Sequence, residues 1–245
     1  MGEPRHEYLY GMNPAFEAVR AGRRIIKEAY IADHIRQQPR VKKLLILLEK
    51  QNVPISFVAR DRLFQLSKSK ENQGIVLKSS RYPYVPFDEI RRADKILLLD
   101  NVEDPHNVGA IIRSAEIFGF HHILLPLKGV PGVYPSVVKV SAGASEHVKI
   151  AKEFHSTTYV KHLVDDDGFS VVSLDGAGND SLEDVVRARP QKLLVVAGGE
   201  DSGVGQFILN NSKWIAAIPQ SGKVNSLNAS VATGISLYVL RTVGE

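Results

Sequence analysis

Between residues 95 and 219 the sequence returns again and again to short, uninterrupted apolar runs: KILLLD, HILLP, HVKIA, FSVVSL, KLLVVA and KWIAAIP. A strand with one wet face alternates apolar and polar residues, so runs without alternation are buried on both faces. Between them lie stretches of helical spacing: residues 105–118, PSVVKVSAG, 155–164 and a last helix starting near Asn228. Buried strands joined through helices predict an α/β fold with a parallel sheet covered on both sides. In such a sheet ligands bind outside the carboxyl ends of the strands. The polar segments that leave those ends are therefore where chemistry is expected.

The front of the chain has a different character. From Pro14 to Ser79 helix and strand patterns alternate as a small αβαβαβ unit, with PAFEAVRAG, PRVKKLLILLEKQ and ARDRLFQLSK helical and EAYIA, PISFV and GIVLK extended. RYPYVPFDEIRRAD (81–94) then breaks both periodicities, as a linker does. The expected organisation is a domain over 1–80, a linker over 81–94 and a second domain over 95–245. Residues 1–80 hold 15 Lys and Arg against 8 Asp and Glu, whereas the remainder holds 16 against 19, so the basicity of the chain belongs to its first third. A basic module ahead of a near-neutral body suggests docking to a polyanion, the plainer alternative being a solvated Lys/Arg face.

Cysteine is absent, which excludes a disulfide framework, a thiolate zinc site and a sulfur nucleophile. The eight His residues show no metal-ligand spacing. MGEPRHEYLY lacks the apolar stretch of a secretory signal, and the run LLILL is far short of a membrane span. The expectation is a metal-free protein of the cytoplasm with no membrane partner.

Three strand-exit segments carry more polar and glycine residues than packing requires. In DNVEDPHNVGAIIRSAEIFGF (100–120), Asp104 and Pro105 form a helix start, and Val108, Ile111, Ile112, Ala115 and Phe118 form its core stripe. Arg113 points away from that stripe, with His106 and Gly109 on its side: either a surface charge or a guanidinium fork presented to phosphate. Asn107, in the first turn, is a local backbone partner or a site residue. The segment AGGEDSGVG (197–205) has four glycines in nine residues, so its backbone can turn tightly and expose N–H groups. It matches neither the dinucleotide fingerprint nor a phosphate-binding P-loop. Glu200 within it is a candidate proton acceptor. In IPQSGKVNSLNAS (218–230), Ser226 or Asn228 caps the last helix. The two later segments together can wall a pocket.

In this order and spacing the three segments resemble the three motifs of the SpoU (TrmH-type) class of SPOUT RNA methyltransferases. NVEDPHNVGAIIRSA looks like the first, VVAGGEDSGV the second and IPQSGKVNSLNASVA the third, with VKVSAGASEH between them also similar. Upstream, Tyr10-Gly11-Met12-Asn13-Pro14 and the αβ unit resemble the ribosomal-protein-like RNA-binding domain of the 23S ribosomal RNA guanosine 2′-O-methyltransferase branch. Asp201-Ser202 departs from the second motif, where relatives often carry other small or acidic residues.

The resemblance implies a homodimer whose catalytic domain is tied in a deep trefoil knot. It implies S-adenosylmethionine held around Gly198, Ile218 and Leu227, catalysis by Asn107, Arg113, Glu200, Ser226 and Asn228, and structured RNA, above all ribosomal RNA, as partner. Methyl transfer from a sulfonium to a ribose hydroxyl needs alignment and loss of a weakly acidic proton, and alignment alone supplies about 7–11 kcal/mol of such a barrier. Arg113 falls where a general base has been assigned in the family, yet a guanidinium with a pKa above about 12 stays charged. Binding phosphate and polarising the hydroxyl suit it better. Transfer RNA, an antibiotic-resistance methylation of ribosomal RNA and a non-catalytic RNA-binding role are the competing readings.

Overall fold

The computed structural model describes residues 6–200, 202–223 and 226–244; Asp201 of the departure noted above lies outside them. In chain order the front elements are β1 (Glu7–Tyr10), α1 (Met12–Ala21), β2 (Ile26–Ala32), α2 (Pro39–Lys50), β3 (Ile55–Val58), α3 (Arg60–Ser67) and β4 (Ile75–Ser79). Next come α4 (Phe87–Ile90), β5 (Lys95–Asp100), α5 (Pro105–Ile117), β6 (His122–Leu124), α6 (Pro135–Val140), β7 (Lys149–Ala151) and α7 (Ser156–Lys161). The chain ends with β8 (Ser170–Leu174), α8 (Leu182–Ala188), β9 (Leu193–Gly198), α9 (Gln206–Asn210), β10 (Trp214–Ala216) and α10 (Ala229–Leu240). Two compact units result: residues through Pro83 with Val133–His147, and Tyr84–Gly132 with the chain from Val148 onward.

The first unit is a four-stranded sheet in the order β1-β4-β2-β3. Only β2 and β3 run parallel; β4 is antiparallel to both β1 and β2. β1 is an addition to the expected αβαβαβ pattern, because four residues with one buried position carry almost no periodicity. The division within the chain also differs from the expected one, because 133–147 belongs to this unit and not to the second. α6 buries Val137 and Val138 against β1 and α1, the Tyr82 hydroxyl donates to the Ser145 carbonyl at 2.9 Å, and the buried Glu146 carboxylate takes Arg24 Nε at 3.0 Å. Arg24 also donates to Glu7 at 2.8 Å, so the charge is shared over two carboxylates. Breaking such a buried pair would strand an uncompensated charge, which holds the segment in this unit.

The second unit is a six-stranded, all-parallel sheet in the order β10-β8-β9-β5-β6-β7, as the uninterrupted apolar runs predict. Ile96 to Leu99 of β5 and Leu193 to Val196 of β9 are fully buried. In register, Ala216 faces Leu174, Leu174 faces Ala197 and Gly198 faces Asp100, so β10, β8, β9 and β5 all end along one edge. α5 begins where expected: Asp104 accepts from His106 N at 2.8 Å and Pro105 fills the first turn. Its core face holds Val108, Ile111, Ile112 and Ala115; Gly109, one turn before Arg113, is buried as well. Phe118 is only half-buried and stacks edge-on against Tyr238, with ring centroids 5.6 Å apart.

Candidate active site

The strand ends of β8, β9 and β10 open into a cavity of about 370 Å³, roofed by the first turns of α10. Gly198, Glu200, Ile218, Ser226 and Leu227 line it together, so the residues expected at the cofactor and two expected at the reaction share one enclosure. Its floor requires glycine. A Cβ on Gly199 would lie 1.9 Å from the Asn101 carbonyl oxygen, and one on Gly198 would lie 2.4 Å from the Gly203 carbonyl carbon. Backbone thus runs against backbone at van der Waals limit, and Gly203 N donates to Gly199 O at 3.0 Å.

The turn is pinned by a residue that the sequence had not marked. Asp100, at the end of β5 and 6% exposed, accepts from Ser156 Oγ at 2.6 Å through one oxygen and from Gly205 N at 2.9 Å through the other. A carboxylate that closes an apolar strand is the signal that could have found it, because burial requires partners for it.

Beside the cavity stand Asn107, Glu200 and Asn228. Asn107 Nδ2 donates to Glu200 Oε1 at 3.1 Å, Asn228 Nδ2 donates to Asn107 Oδ1 at 3.0 Å and to the same carboxylate oxygen, and Ala229 N reaches that oxygen at 3.3 Å. Asn228 is also the N-cap of α10: its Oδ1 accepts from Ser230 N at 3.0 Å and Val231 N at 3.3 Å. One side chain therefore fixes the helix start and turns its amide toward Glu200. The positive end of the α10 dipole and several N–H donors converge on Glu200 Oε1, while Oε2 has no hydrogen bond among the described residues.

A second cavity, about 230 Å³, lies on the other side of this group. Asn101, Glu103, Asp104 and Asn107 line it, and it meets the first cavity at Gly199, Glu200 and Ser202. Glu200 thus borders both spaces. Arg113 lines neither; it is exposed on α5, six residues after Asn107, which is about 9 Å of rise and 240° around the helix. No carboxylate pairs with it among the described residues. Asn107, Glu200, Ser226 and Asn228 are assembled within one chain, and Arg113 stands apart from them.

The sequence profile of the SpoU rRNA methylase family matches residues 94–238, and that of the RNA 2′-O ribose methyltransferase substrate-binding domain matches 8–85. YacO of Bacillus subtilis, assigned to the TrmH family of tRNA/rRNA methyltransferases, is 30% identical over 96% of this chain and 94% of its own. ML0324 of Mycobacterium leprae, an uncharacterized tRNA/rRNA methyltransferase, is 33% identical over 94% of this chain and 75% of its own. The fold resembles the SpoU methyltransferase AviRb of Streptomyces viridochromogenes, solved with AdoMet, with a TM-score of 0.80 and 24% identity over 97% of this chain and 89% of that one. It also resembles an AdoMet-bound rRNA methyltransferase of Sinorhizobium meliloti, with a TM-score of 0.76 and 22% identity over 97% and 87% of the two chains.

Proposed function

The chain belongs to the SpoU rRNA methylase family, and from that premise we propose that it methylates the 2′-hydroxyl of a guanosine ribose in large-subunit ribosomal RNA, using S-adenosylmethionine. The observation that carries this is Glu200, which borders both cavities and is held there by Asn107 and Asn228.

The larger cavity fits the donor. Its glycine floor admits no Cβ, which leaves main-chain N–H and C=O groups facing the space, and Ile218 and Leu227 add apolar surface. When bound there, the sulfonium supplies an already activated methyl group, so no covalent enzyme intermediate is required. The protein's own work is to hold the hydroxyl and take its proton. Asn107 and Asn228 fix Glu200 through Oε1, which leaves Oε2 to accept the proton of a hydroxyl presented from the smaller cavity. Arg113 binds the target phosphate and polarises the hydroxyl without changing its own protonation.

A second copy of the chain supports Arg113 in that role. Val231 (49% exposed), Ile235 (40%) and Tyr238 (51%) form an apolar stripe on α10, beside Ile117 (62%) of the packed α5. In the proposed homodimer the stripe is covered and Arg113 is delivered to the partner's site. The connection from β10 into α10 is then the family's trefoil knot, a reading supported by the cavity that Gly198, Gly203, Ile218 and Leu227 share. The basic first unit grips RNA, and the absence of cysteine suits a cytoplasmic enzyme.

The test is transfer of labelled methyl from S-adenosylmethionine to in vitro transcribed large-subunit ribosomal RNA and to transfer RNA, followed by mapping of the modified nucleotide. Ribose methylation at one ribosomal guanosine is expected; labelling of transfer RNA alone overturns the target, and no labelling of either overturns the activity. Arg113→Lys with near-normal turnover counts against a forked phosphate contact.

A further inference from the structure

The first unit holds a cavity of about 1000 Å³ that plays no part in the chemistry just described. It sits where the only parallel pair of that sheet ends. His34, Ile35 and Gln38 follow β2, while Arg60, Asp61 and Phe64 follow β3. The approach to β4, residues 70–74, closes the third side. Carboxyl ends of parallel strands are where open α/β sheets take ligands.

The chemistry of the walls is specific. α3 buries a single side chain, Leu63, and leaves the neighbouring Phe64 46% exposed at the cavity. An aromatic ring left in water forfeits burial that the small core would otherwise gain, so it invites a planar partner. Arg60 and Lys70 flank the space, and neither pairs with a carboxylate among the described residues. The Arg60 guanidinium is held by His34, with Nη2 to Nε2 at 2.9 Å, which aims it rather than neutralising it. The carboxamides of Gln38 and Gln65 add donors and acceptors, and Asp61 adds an acceptor.

The rim is preformed. Asn72 Nδ2 donates to Ser69 O at 2.8 Å, its Oδ1 accepts from Gly74 N at 2.9 Å, and Gln73 Oε1 takes Met12 N at 3.0 Å. Gln73 adopts φ 53°, a left-handed conformation that costs a residue with a side chain some strain.

We infer that this cavity takes one unstacked nucleobase of the RNA substrate, its ring face on Phe64, its edge read by the glutamine amides and its phosphates held by Arg60 and Lys70. The inference rests on the RNA reading above and adds where the RNA is read. Paired RNA keeps its bases stacked and shows a protein only phosphates and 2′-hydroxyls, to which an exposed phenyl ring contributes nothing. A base splayed from a loop or bulge presents a π-face that any aromatic can take.

The experiment measures binding of the full chain to a large-subunit ribosomal RNA transcript and to a fully paired RNA duplex, over a range of salt. Phe64→Ala is expected to weaken transcript binding by about 5- to 150-fold with an unchanged salt slope, and to leave duplex binding alone. Phe64→Trp retains transcript binding. Arg60→Gln lowers the salt slope by about 0.7, one phosphate contact to a single strand. Ultraviolet cross-linking places the transcript on the tryptic peptide 63–68. Circular dichroism and thermal melts unchanged in both alanine and glutamine variants certify that the first unit stays folded, and calorimetric uptake of S-adenosylmethionine certifies the second. Transcript binding unaffected by Phe64→Ala, or lost equally on duplex, overturns the inference alone. Failure of the unaltered chain to bind either RNA overturns the RNA reading with it.

Discussion

Asp100 offers the sharpest test of how the sheet builds the site. Its buried carboxylate accepts from Ser156 Oγ, from Gly205 N and, at 3.4 Å, from Asn101 Nδ2, and the Gly205 bond closes the turn that floors the larger cavity. Asp100→Ala removes both acceptors. Leaving a buried donor unsatisfied costs about 1–3 kcal/mol, and the Ser156 hydroxyl can rotate toward another acceptor while the Gly205 amide cannot, so a loss of about 1–3 kcal/mol is expected. For a unit of this size that lowers Tm by about 2–12 °C. Asp100→Asn keeps an oxygen for Gly205 N and offers its amide to a Ser156 hydroxyl turned to accept, so about 1 kcal/mol is lost. Cofactor affinity should follow the same order. If two or three residues of the turn must be ordered on binding, at about 1 kcal/mol each, Asp100→Ala weakens S-adenosylmethionine by roughly 30- to 150-fold and Asp100→Asn by far less. Scanning calorimetry and titration calorimetry read the two effects separately. An alanine variant that melts early yet binds the cofactor normally would refute the claim that this carboxylate shapes the turn.

Glu200→Gln keeps the hydrogen-bonding outline of the Asn107 and Asn228 group but removes the proton acceptor, so turnover should fall by about 10²–10⁴-fold with cofactor affinity little changed; near-normal turnover would send the proton to phosphate or water instead. Gly199→Ala sets a Cβ 1.9 Å from the Asn101 carbonyl oxygen, and because both atoms belong to backbone the turn must move; loss of cofactor binding in titration is expected, together with about 1–3 kcal/mol of stability in denaturant melts. Burial, then Lys149 and His121, hold the His122 pKa below its ordinary value. The unfolded chain therefore binds the more protons, and stability is lost as pH falls through the ordinary histidine range toward the lowered value. His122→Asn should flatten that part of the stability profile between about pH 7 and 5, and an unchanged slope would place its origin elsewhere.

The parallel sheet was legible because KILLLD and KLLVVA admit no wet face, and Asn228 was legible as a cap because a helix start needs a side-chain acceptor. The glycines of 197–205 announced a tight turn, and the cavity shows why: two of them touch backbone. Other features depend on partners that no local pattern encodes. Val137 and Val138 mark α6 as buried without saying against what, and the answer, β1 and α1, follows from tertiary packing and from the Arg24–Glu146 pair across 122 residues of chain. α8 escaped notice although Ser181 and Asp184 form a reciprocal capping box, since only Leu182 and Val185 of its seven residues are buried. Asp100 lay within the run KILLLD, but a strand read for its apolar letters gives its closing carboxylate no role, and its partners Ser156 and Gly205 are distant in the chain.

Arg113 and the apolar stripe pose one question from two sides. A guanidinium without a carboxylate partner is stable in water and needs no explanation alone, and scattered apolar residues on a surface need none either. Their coincidence is less neutral: Arg113 and Ile117 lie on α5, and α5 packs on the helix that carries Val231, Ile235 and Tyr238. Covering that stripe with a second copy would place Arg113 at the rim of a dry interface, where the local dielectric is lower and a phosphate contact correspondingly stronger. Each chain already holds the carboxylate and the amides that fix it, so the cation is the component it does not direct at its own cavities. Under the proposed dimer, RNA would meet a complete set of groups only after assembly, whereas the glycine floor that suits the cofactor lies wholly within one chain.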